Sequence, residues 1–334
     1  MSLIPSVYSS ADPGAPGLTA AVGSLITVLD AILVDGYGVG AGRKEGLGWT
    51  RQFSSGNRRV YRGNPVSGSG HCIRVNNEQQ FGALLHGFSS MTGIDEGTDM
   101  FPLPADYANG IAWPTCNTAN PTVARRWWAI GNERCLYFYR EPQVNAANPF
   151  PGTSGFMGDF LSRMAVDPSR CAITTHGSWS GYDGTGAYPV YAHEGIPHNS
   201  AMSVSSSGFS IARSFDGARL GQYGRVIKAG ECGHTTFGYG ANSDSLVDGY
   251  PDPVTGGLLY APIWLREPGG LRGLMPGMYT GLHRMLTNVF AEGQILENVP
   301  GMPAGTRWIY KKGLGAPGGV TVSGVFFDLT NPWE

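Results

Sequence analysis

Histidine and cysteine are the side chains from which this chain would build a metal site, and the clearest grouping is His193-Glu-Gly-Ile-Pro-His198. A zinc-protease helix needs two histidines four residues apart, so that both imidazoles lie on one face. Here the spacing is five, and Gly195 and Pro197 disrupt the helix. The remaining pairs are His71 with Cys72 and Cys232 with His234. Such a lone pair is typical of a packed thiol beside a hydrogen-bonded histidine, so the sequence predicts no metal site.

Motifs for nucleophilic catalysis and for nucleotide binding are incomplete. A nucleophile elbow requires Gly-x-Ser-x-Gly, whereas Gly177-Ser-Trp-Ser-Gly181 has Trp179 in the place of the serine. A phosphate-binding loop ends in Gly-Lys-Ser/Thr, and no lysine of this chain follows a glycine. Gly36, Gly38 and Ala41 match the relaxed dinucleotide-binding motif G-x-G-x-x-A, but they follow a predicted helix where the motif requires a strand. We interpret that run as a flexible linker and predict no bound cofactor.

Carboxylates could serve a glycosidase, which needs two of them at a fixed separation across a sugar. Candidates among the acids that adjoin aromatic residues or glycines are Asp159, Glu194, Glu231 and Asp328. None lies in a motif that identifies a catalytic pair, so each is predicted to be a turn or interface residue. The sequence therefore assigns no catalytic, cofactor-binding or metal-ligating residue, and we expect a protein that is not an enzyme.

The composition excludes several classes of protein. Glycine accounts for 51 of the 334 residues, roughly twice the usual share, whereas only 14% of the residues are charged. The hydrophobic share is 41% and the net charge is -2, which excludes a charge-rich disordered chain. The broad basic field that nucleic acid requires is also missing. Of the 23 basic residues only four are lysines, and an excess of arginine is typical of protein interfaces.

The start of the sequence carries no targeting signal that we recognise. No basic residue precedes Arg43, so neither a secretory signal nor a transit peptide is predicted. The longest apolar stretch, Leu25–Val34, contains Asp30 and is too short to span a bilayer. We therefore expect synthesis in the cytoplasm and no membrane span. The five cysteines form no C-x-x-C pair and are predicted to be free, mostly buried thiols.

The first half of the chain combines one clear helix with short strands. Residues 1–17 contain three prolines and no periodicity, which predicts an extended N-terminal arm. A helix is predicted between Thr19 as N-cap and Gly36 as terminator, with an apolar stripe of Leu25, Ile26, Leu29, Ile32 and Leu33. Two more helices are predicted, over Asn77–Gly87 and around Phe156–Met164. The predicted strands are Trp49–Phe53, Arg59–Arg62, His71–Val75, and a hairpin of Arg125–Ile130 with Arg134–Tyr139.

The second half is dominated by long stretches rich in glycine and serine. The predicted strands there are Arg225–Ala229, Leu258–Leu265, Thr306–Lys311 and Val320–Leu329. The fold class expected is α+β, mainly β, with short antiparallel strands, long Gly/Ser-rich loops and two or three helices. A cluster of prolines between Pro142 and Pro151 predicts a boundary. It divides the chain into an α+β region at 18–145 and a mainly β region at 146–334, with one continuous domain as the alternative.

Short sequence motifs, or words, that are spread along the whole chain resemble those of a family of structural proteins from the virions of tailed bacteriophages. These words are Ser10-Ala-Asp-Pro-Gly-Ala-Pro16, Gly23-Ser-Leu25 with Asp30, Gly36-Tyr-Gly38, Gly48-Trp-Thr50, Arg74-Val75, Ser90-Met-Thr92, Trp127-Trp128, Gly158-Asp-Phe160, Leu271-Arg-Gly273, Pro276-Gly277 and Asp328-Leu-Thr-Asn-Pro-Trp333. The resemblance carries no catalytic signature. It implies a virion component, attached to the tail or baseplate in preference to a head-decoration position.

The partners that this resemblance implies are other virion proteins and further copies of the chain, with no nucleic acid. Low charge, abundant arginine and an N-terminal arm suit a subunit that is packed against its neighbours. The alternative is a receptor- or glycan-binding module, or a glycan depolymerase, that recognises a host-surface glycan through the aromatic and Gly/Ser-rich loops. Trp333, one residue from the last residue of the sequence, is predicted to be docked into its own domain or into a neighbour.

Overall fold

The structure is a computed structural model that describes residues 3–80, 82–104, 110–115, 122–140, 144–145, 148–149, 153–176, 209–219, 225–227, 247–267, 270–284, 286, 289–311 and 325–334. Within these residues the fold is mainly β, as the sequence predicts. One α-helix, α1 (Ser24–Asp30), continues as a π-helical turn over Ala31–Asp35, and a 3-10 turn follows at Gly40–Gly42. The described part of the chain therefore has fewer helices than the two or three predicted.

The strands are short. In chain order they are β1 (Ser6–Ser9), β2 (Thr50–Ser55), β3 (Arg58–Arg62), β4 (Cys72–Asn76), β5 (Gly82–Phe88), β6 (Ser90–Met91), β7 (Gly97–Thr98), β8 (Ile111–Pro114), β9 (Trp127–Gly131), β10 (Cys135–Arg140), β11 (Val144–Asn145), β12 (Asn148–Pro149), β13 (Thr153–Asp159), β14 (Leu161–Ser162), β15 (Cys171–His176), β16 (Phe209–Ile211), β17 (Arg225–Ile227), β18 (Val247–Gly249), β19 (Tyr260–Glu267), β20 (Gly270–Gly281), β21 (His283–Arg284), β22 (Ile295–Glu297), β23 (Arg307–Lys311) and β24 (Val325–Asp328).

Three antiparallel sheets organise these strands. The N-terminal sheet has the order β2-β3-β4-β5-β8, and the central sheet has the order β1-β9-β10-β13-β15-β16. The C-terminal sheet has the order β17-β19-β20-β24-β23-β22, with β14 paired to β20. Two-stranded pairings join β6 to β7, β11 to β12, and β18 to β21, the last of them parallel. Most neighbouring strands are close in sequence, as expected for hairpin connections.

The central sheet is buried on both faces. From β10, Leu136 and Phe138 enter a core shared with α1 and the N-terminal sheet. Tyr137 and Tyr139 of the same strand enter a second core, shared with the C-terminal sheet. Successive side chains of a strand alternate between faces, so a strand that is covered on both faces must be apolar throughout. The predicted hairpin forms from β9 and β10, which pair from Leu136 with Gly131 to Arg140 with Trp127.

The first predicted helix is present but shorter than predicted. Its apolar stripe is buried in the core shared with the central sheet, as predicted. The N-cap position belongs to Gly23 instead of Thr19, and the backbone N–H of Leu25 donates to Oδ1 of Asn77 at 2.9 Å. Gly36 ends the helical segment, as predicted, with a φ of 70°. Asn77 therefore satisfies the start of α1 instead of starting a helix of its own.

The helices predicted over Asn77–Gly87 and around Phe156–Met164 were wrong, because both segments contain strands. All seven residues of β5 are buried, and a fully buried apolar run carries no periodicity that separates a strand from a helix. In β13, a Cβ atom on Gly155 would lie 2.4 Å from the Trp113 ring. This glycine leaves room for the indole against β13. The strands predicted elsewhere overlap β2, β3, β4, β17, β19, β23 and β24.

The predicted N-terminal arm contains β1, which pairs with β9 at the edge of the central sheet. The predicted boundary between residues 145 and 146 falls between β10 and β13, which are hydrogen-bonded neighbours along six residue pairs. The division into regions at 18–145 and 146–334 stays a prediction. The backbone N–H of Trp333 donates to the carbonyl of Leu3 at 3.1 Å, so residues near the two ends of the sequence are in contact.

Trp333 is docked into its own chain, as the sequence predicts. Its side chain is 3% exposed, and its indole N–H donates to the carbonyl of Asp328 at 2.9 Å. The ring lies 5.7 Å from the Tyr137 ring and 6.2 Å from the Phe327 ring, measured between centroids. A Cβ atom on Gly277 would overlap the indole, which explains a glycine there. Trp333 therefore completes the core between the central and C-terminal sheets.

We expect Trp333→Ala to lower the free energy of unfolding by about 3–5 kcal/mol, because it leaves a cavity between two sheets. Urea denaturation followed by tyrosine and tryptophan fluorescence measures the change. Glu334→Ala, at an exposed neighbouring position, is the control and should change stability by less than ~0.5 kcal/mol. Unfolding of both variants at the same urea concentration would contradict the docking of Trp333.

Candidate interaction site

A serine, a histidine and an aspartate meet between the N-terminal and central sheets. Ser69 and His71 lie in the segment that precedes β4, and Asp159 is the last residue of β13. Asp159 accepts hydrogen bonds from the backbone N–H of Ser69 at 2.6 Å and from its hydroxyl at 2.5 Å. The Ser69 hydroxyl oxygen lies 2.9 Å from Nδ1 of His71. The three side chains therefore form one hydrogen-bonded row.

The order of the groups in this row differs from that of a hydrolase. In a catalytic triad the imidazole lies between serine and carboxylate, so that it can take the hydroxyl proton. Here the Ser69 hydroxyl lies between the other two groups and donates a hydrogen bond to Asp159. We assign a proton to Nδ1 of His71, which then donates a hydrogen bond to the Ser69 hydroxyl oxygen. Burial lowers the pKa of His71. The adjacent cavity is about 10 Å³, room for about one water and not for a substrate.

Arg170 extends the row to a second loop. Its Nε lies 3.1 Å from Oδ2 of Asp159, and one of its Nη atoms donates to the carbonyl of Ser67 at 3.4 Å. Asp159 is 5% exposed and accepts three hydrogen bonds inside the protein, from the backbone N–H and hydroxyl of Ser69 and from Nε of Arg170. A buried carboxylate with this many donors holds the loops on either side in one arrangement. The row joins the segment before β4 to the segment between β14 and β15.

A second ion cluster lies at the tip of the β19–β20 hairpin. The guanidinium of Arg272 lies 2.7 Å from Oδ2 and 2.8 Å from Oδ1 of Asp167, with side-chain exposures of 1% and 2%. The other terminal nitrogen is 3.8 Å from Oε1 of Glu267. The same Glu267 oxygen accepts the backbone N–H of Phe215 at 2.8 Å, and burial raises the pKa of Glu267. This cluster joins three segments that are far apart in sequence.

Exposed apolar side chains project from the same loops. They are Val66, Met164, Val166, Phe215 and Leu271, with exposures from 40% for Met164 to 94% for Val66. We call this set the loop-tip surface. The segments that carry Met164, Val166 and Leu271 lie side by side, because β14 pairs with β20 and the backbone N–H of Arg163 donates to the carbonyl of Arg272. Exposed apolar side chains on loops that buried ion pairs hold in place are typical of a protein-interaction site.

The other residues that the sequence singled out are structural where the structure describes them. The buried Cys72 thiol donates to Oε1 of Gln52 at 3.1 Å. Asp328 accepts from the backbone N–H groups of Thr330 and Asn331 and so forms a turn. Cys72, Cys135 and Cys171 are free and buried, as predicted. Outside the described residues lie Gly177–Gly181, His193, Glu194, His198, Glu231, Cys232 and His234. Among the described residues no group of three or more His, Cys, Asp or Glu side chains could hold a metal ion.

The glycine run that begins at Gly36 is a closed turn and not the flexible linker that we predicted. Tyr37 and Lys44 exchange backbone hydrogen bonds of 2.9 and 2.8 Å across it. Gly38 has a φ of 80°, and a Cβ atom there would lie 2.9 Å from the carbonyl oxygen of Pro13. Close backbone approach explains this glycine. The residues that match the dinucleotide-binding motif are not followed, among the described residues, by an α-helix whose N-terminus could bind a phosphate.

Sequence reasoning missed Asp167 and Arg272. A signal was present, because only 14% of the residues of this chain are charged. An arginine inside a strand, such as Arg272 in β20, is therefore a candidate for a buried ion pair. The partner could not be found in this way, since Asp167 is 105 residues away in sequence.

A comparison of the chain with models of known protein families finds no match. A search of curated proteins finds none either. In the part of the chain that the structure describes, no helix has the length and apolar character needed to cross a bilayer. The function must therefore be argued from the residues themselves.

We expect Arg272→Met to lower the free energy of unfolding by about 3–5 kcal/mol, because it leaves two buried carboxylates without their cation. Arg307→Met is the matched control, since its ion pair with Glu297 is exposed, at 59% and 54%, and should contribute at most ~1 kcal/mol. Chemical denaturation of both variants measures the difference. Equal losses would show that the buried cluster does not hold the loops.

Proposed function

We propose that this chain is a non-enzymatic structural component of a tailed-bacteriophage virion and that it assembles in multiple copies through protein–protein contacts. Attachment to the tail or baseplate is favoured over head decoration. The observation that carries the proposal is the loop-tip surface, where exposed apolar side chains stand on loops held by buried ion pairs. The sequence words that resemble virion structural proteins lend it independent support.

A surface of this kind favours binding because association costs little conformational entropy. Side chains that are held by rigid loops lose less conformational freedom than those on unrestrained loops. The apolar tips gain from leaving water, while the charges beneath them are already paired within the chain. Partner binding therefore costs no further desolvation of Arg272 or Asp167, whose side chains are at most 2% exposed.

The Ser69, His71 and Asp159 row supports the non-enzymatic part of the proposal. The hydroxyl is held by the carboxylate, and the cavity beside it is too small for a substrate. A nucleophile needs a base that can accept its proton and an open face for attack. The open face is missing at these three side chains, because the cavity beside them holds about one water.

The location in the particle is tested by mass spectrometry of separated heads and tails. We expect the chain in the tail fraction. Recovery with purified heads alone would overturn the tail assignment, and absence from particles would overturn the virion role. Binding of the isolated chain to a glycan array would instead favour the receptor-binding alternative.

The loop-tip surface is tested by the double substitution Val166→Asp and Phe215→Asp. The two aspartates would be buried at the interface as unpaired charges, so we expect incorporation into particles to fall by about tenfold or more. A loss of ~1.4 kcal/mol in binding free energy already corresponds to a tenfold loss of affinity. Val254→Asp is the control, because Val254 is 89% exposed and lies outside the loop-tip surface. Quantitative mass spectrometry of purified particles measures incorporation, and thermal melting verifies that both variants fold. Equal incorporation of both variants would contradict the role of this surface.

A further inference from the structure

We propose that Arg140 is the binding group of a carboxylate site at the end of β10, on the face of the central sheet that packs against the N-terminal sheet. The ligand is a single carboxylate group, which either a small free carboxylate or an acidic side chain of a second copy of this chain could supply. The proposal rests on the burial of Arg140, on its missing acceptor and on the way in which comparable cations in this protein are satisfied.

Arg140 is buried without an acceptor. It is 1% exposed, and Nε and both Nη atoms have no hydrogen-bond partner among the residues that the structure describes. Burial lowers the pKa of Arg140 to about 9, and no charge among the described residues contributes to that shift. A guanidinium has five N–H donors, and buried charges in native proteins are paired. Among the described residues the arrangement therefore lacks an anion.

Two aromatic rings fix the position of the guanidinium. Its Cζ lies 5.3 Å from the centroid of Trp113 and 5.5 Å from that of Phe138. These two rings are themselves stacked, with an angle of 11° between their planes, and the indole N–H of Trp113 donates to the carbonyl of Thr174. Contact with aromatic faces offsets only part of the cost of removing an unpaired cation from water. The rings hold the donor fork in place without satisfying it.

Other buried cations of the described chain show what is missing. Arg272 and Lys311 have side chains that are at most 2% exposed, and each lies over an aromatic ring, Phe160 and Trp128 respectively. Arg272 pairs with Asp167 and Lys311 with Glu292. Arg140 shares the burial and the aromatic contact but has no carboxylate within the described residues. One carboxylate would complete the same arrangement at Arg140.

Arg140 lies at the end of a strand and contacts a residue near the end of another strand. Arg140 is the last residue of β10, and Thr115 directly follows β8 in the N-terminal sheet. Thr115 is 2% exposed, and its hydroxyl also has no partner among the described residues. Thr115 follows Trp113 by two residues, and the Trp113 ring is one of the two that the Arg140 guanidinium contacts. A hydroxyl donor and a planar fork suit a planar monoanion, whereas a dianion would bring one negative charge too many.

The test uses the full-length protein and acetate as the probe. We expect 100 mM sodium acetate to raise the melting temperature of the wild type by about 1–3 °C relative to sodium chloride of the same ionic strength. Arg140→Met should melt higher than the wild type in chloride, because it removes an unpaired buried charge, and should not respond to acetate. Arg307→Met is the control and should respond to acetate as the wild type does. An equal response of the wild type and Arg140→Met would overturn the proposal.

A direct readout covers the case in which Arg140→Met does not fold. Trifluoroacetate binding, followed by ¹⁹F NMR line broadening, should be at least tenfold weaker in Arg140→Lys, which keeps the charge but loses the two-pronged donor. Sedimentation distinguishes the two sources of the carboxylate. Self-association that acetate reverses identifies a side chain of a second copy, and acetate binding without self-association identifies a free carboxylate. If the wild type shows neither acetate binding nor acetate-sensitive self-association, the proposal is overturned. Both measurements are independent of the virion role.

Discussion

The rest of this structure depends on the burial of the central sheet on both faces. A strand covered on both sides has no position where a charge can face water, so its residues must be apolar or must have a partner inside the protein. In β10 this produces an unbroken row of buried side chains from Cys135 to Tyr139. Only 14% of the residues of the chain are charged, which agrees with this constraint.

Several of the buried charges lie where strands begin or end. Asp159 closes β13, Glu267 closes β19 and Arg272 lies near the start of β20. At these positions the chain leaves the sheets, so one charged side chain can reach a loop from another part of the molecule. The buried pairs thereby fix the loops that carry the exposed apolar tips. Arg140 occupies an equivalent place at the end of β10, but its anion is not supplied by the described residues.

Several elements could be predicted from the sequence because their signals are local. The stripe from Leu25 to Leu33 has helical spacing, and the turn after Gly131 lies between two strongly β-forming runs. Both signals are contained within about 15 residues and describe what one element does by itself. The segments Gly82–Phe88 and Thr153–Asp159 gave no such signal, because burial on both faces removes alternation. Their strand character comes from the neighbours to which they are hydrogen-bonded.

The sequence by itself determined the mainly β class, the position of the helix, the buried thiols and the docking of Trp333 into a core. These features follow from composition and local pattern, because the burial of apolar side chains depends directly on where such side chains occur in the sequence. Only the tertiary structure decided which charges meet. Ser69 and Asp159 are 90 residues apart, and Asp167 and Arg272 are 105 residues apart. No local pattern encodes such a pairing, because it depends on how three sheets are stacked and on which strand ends that stacking brings together.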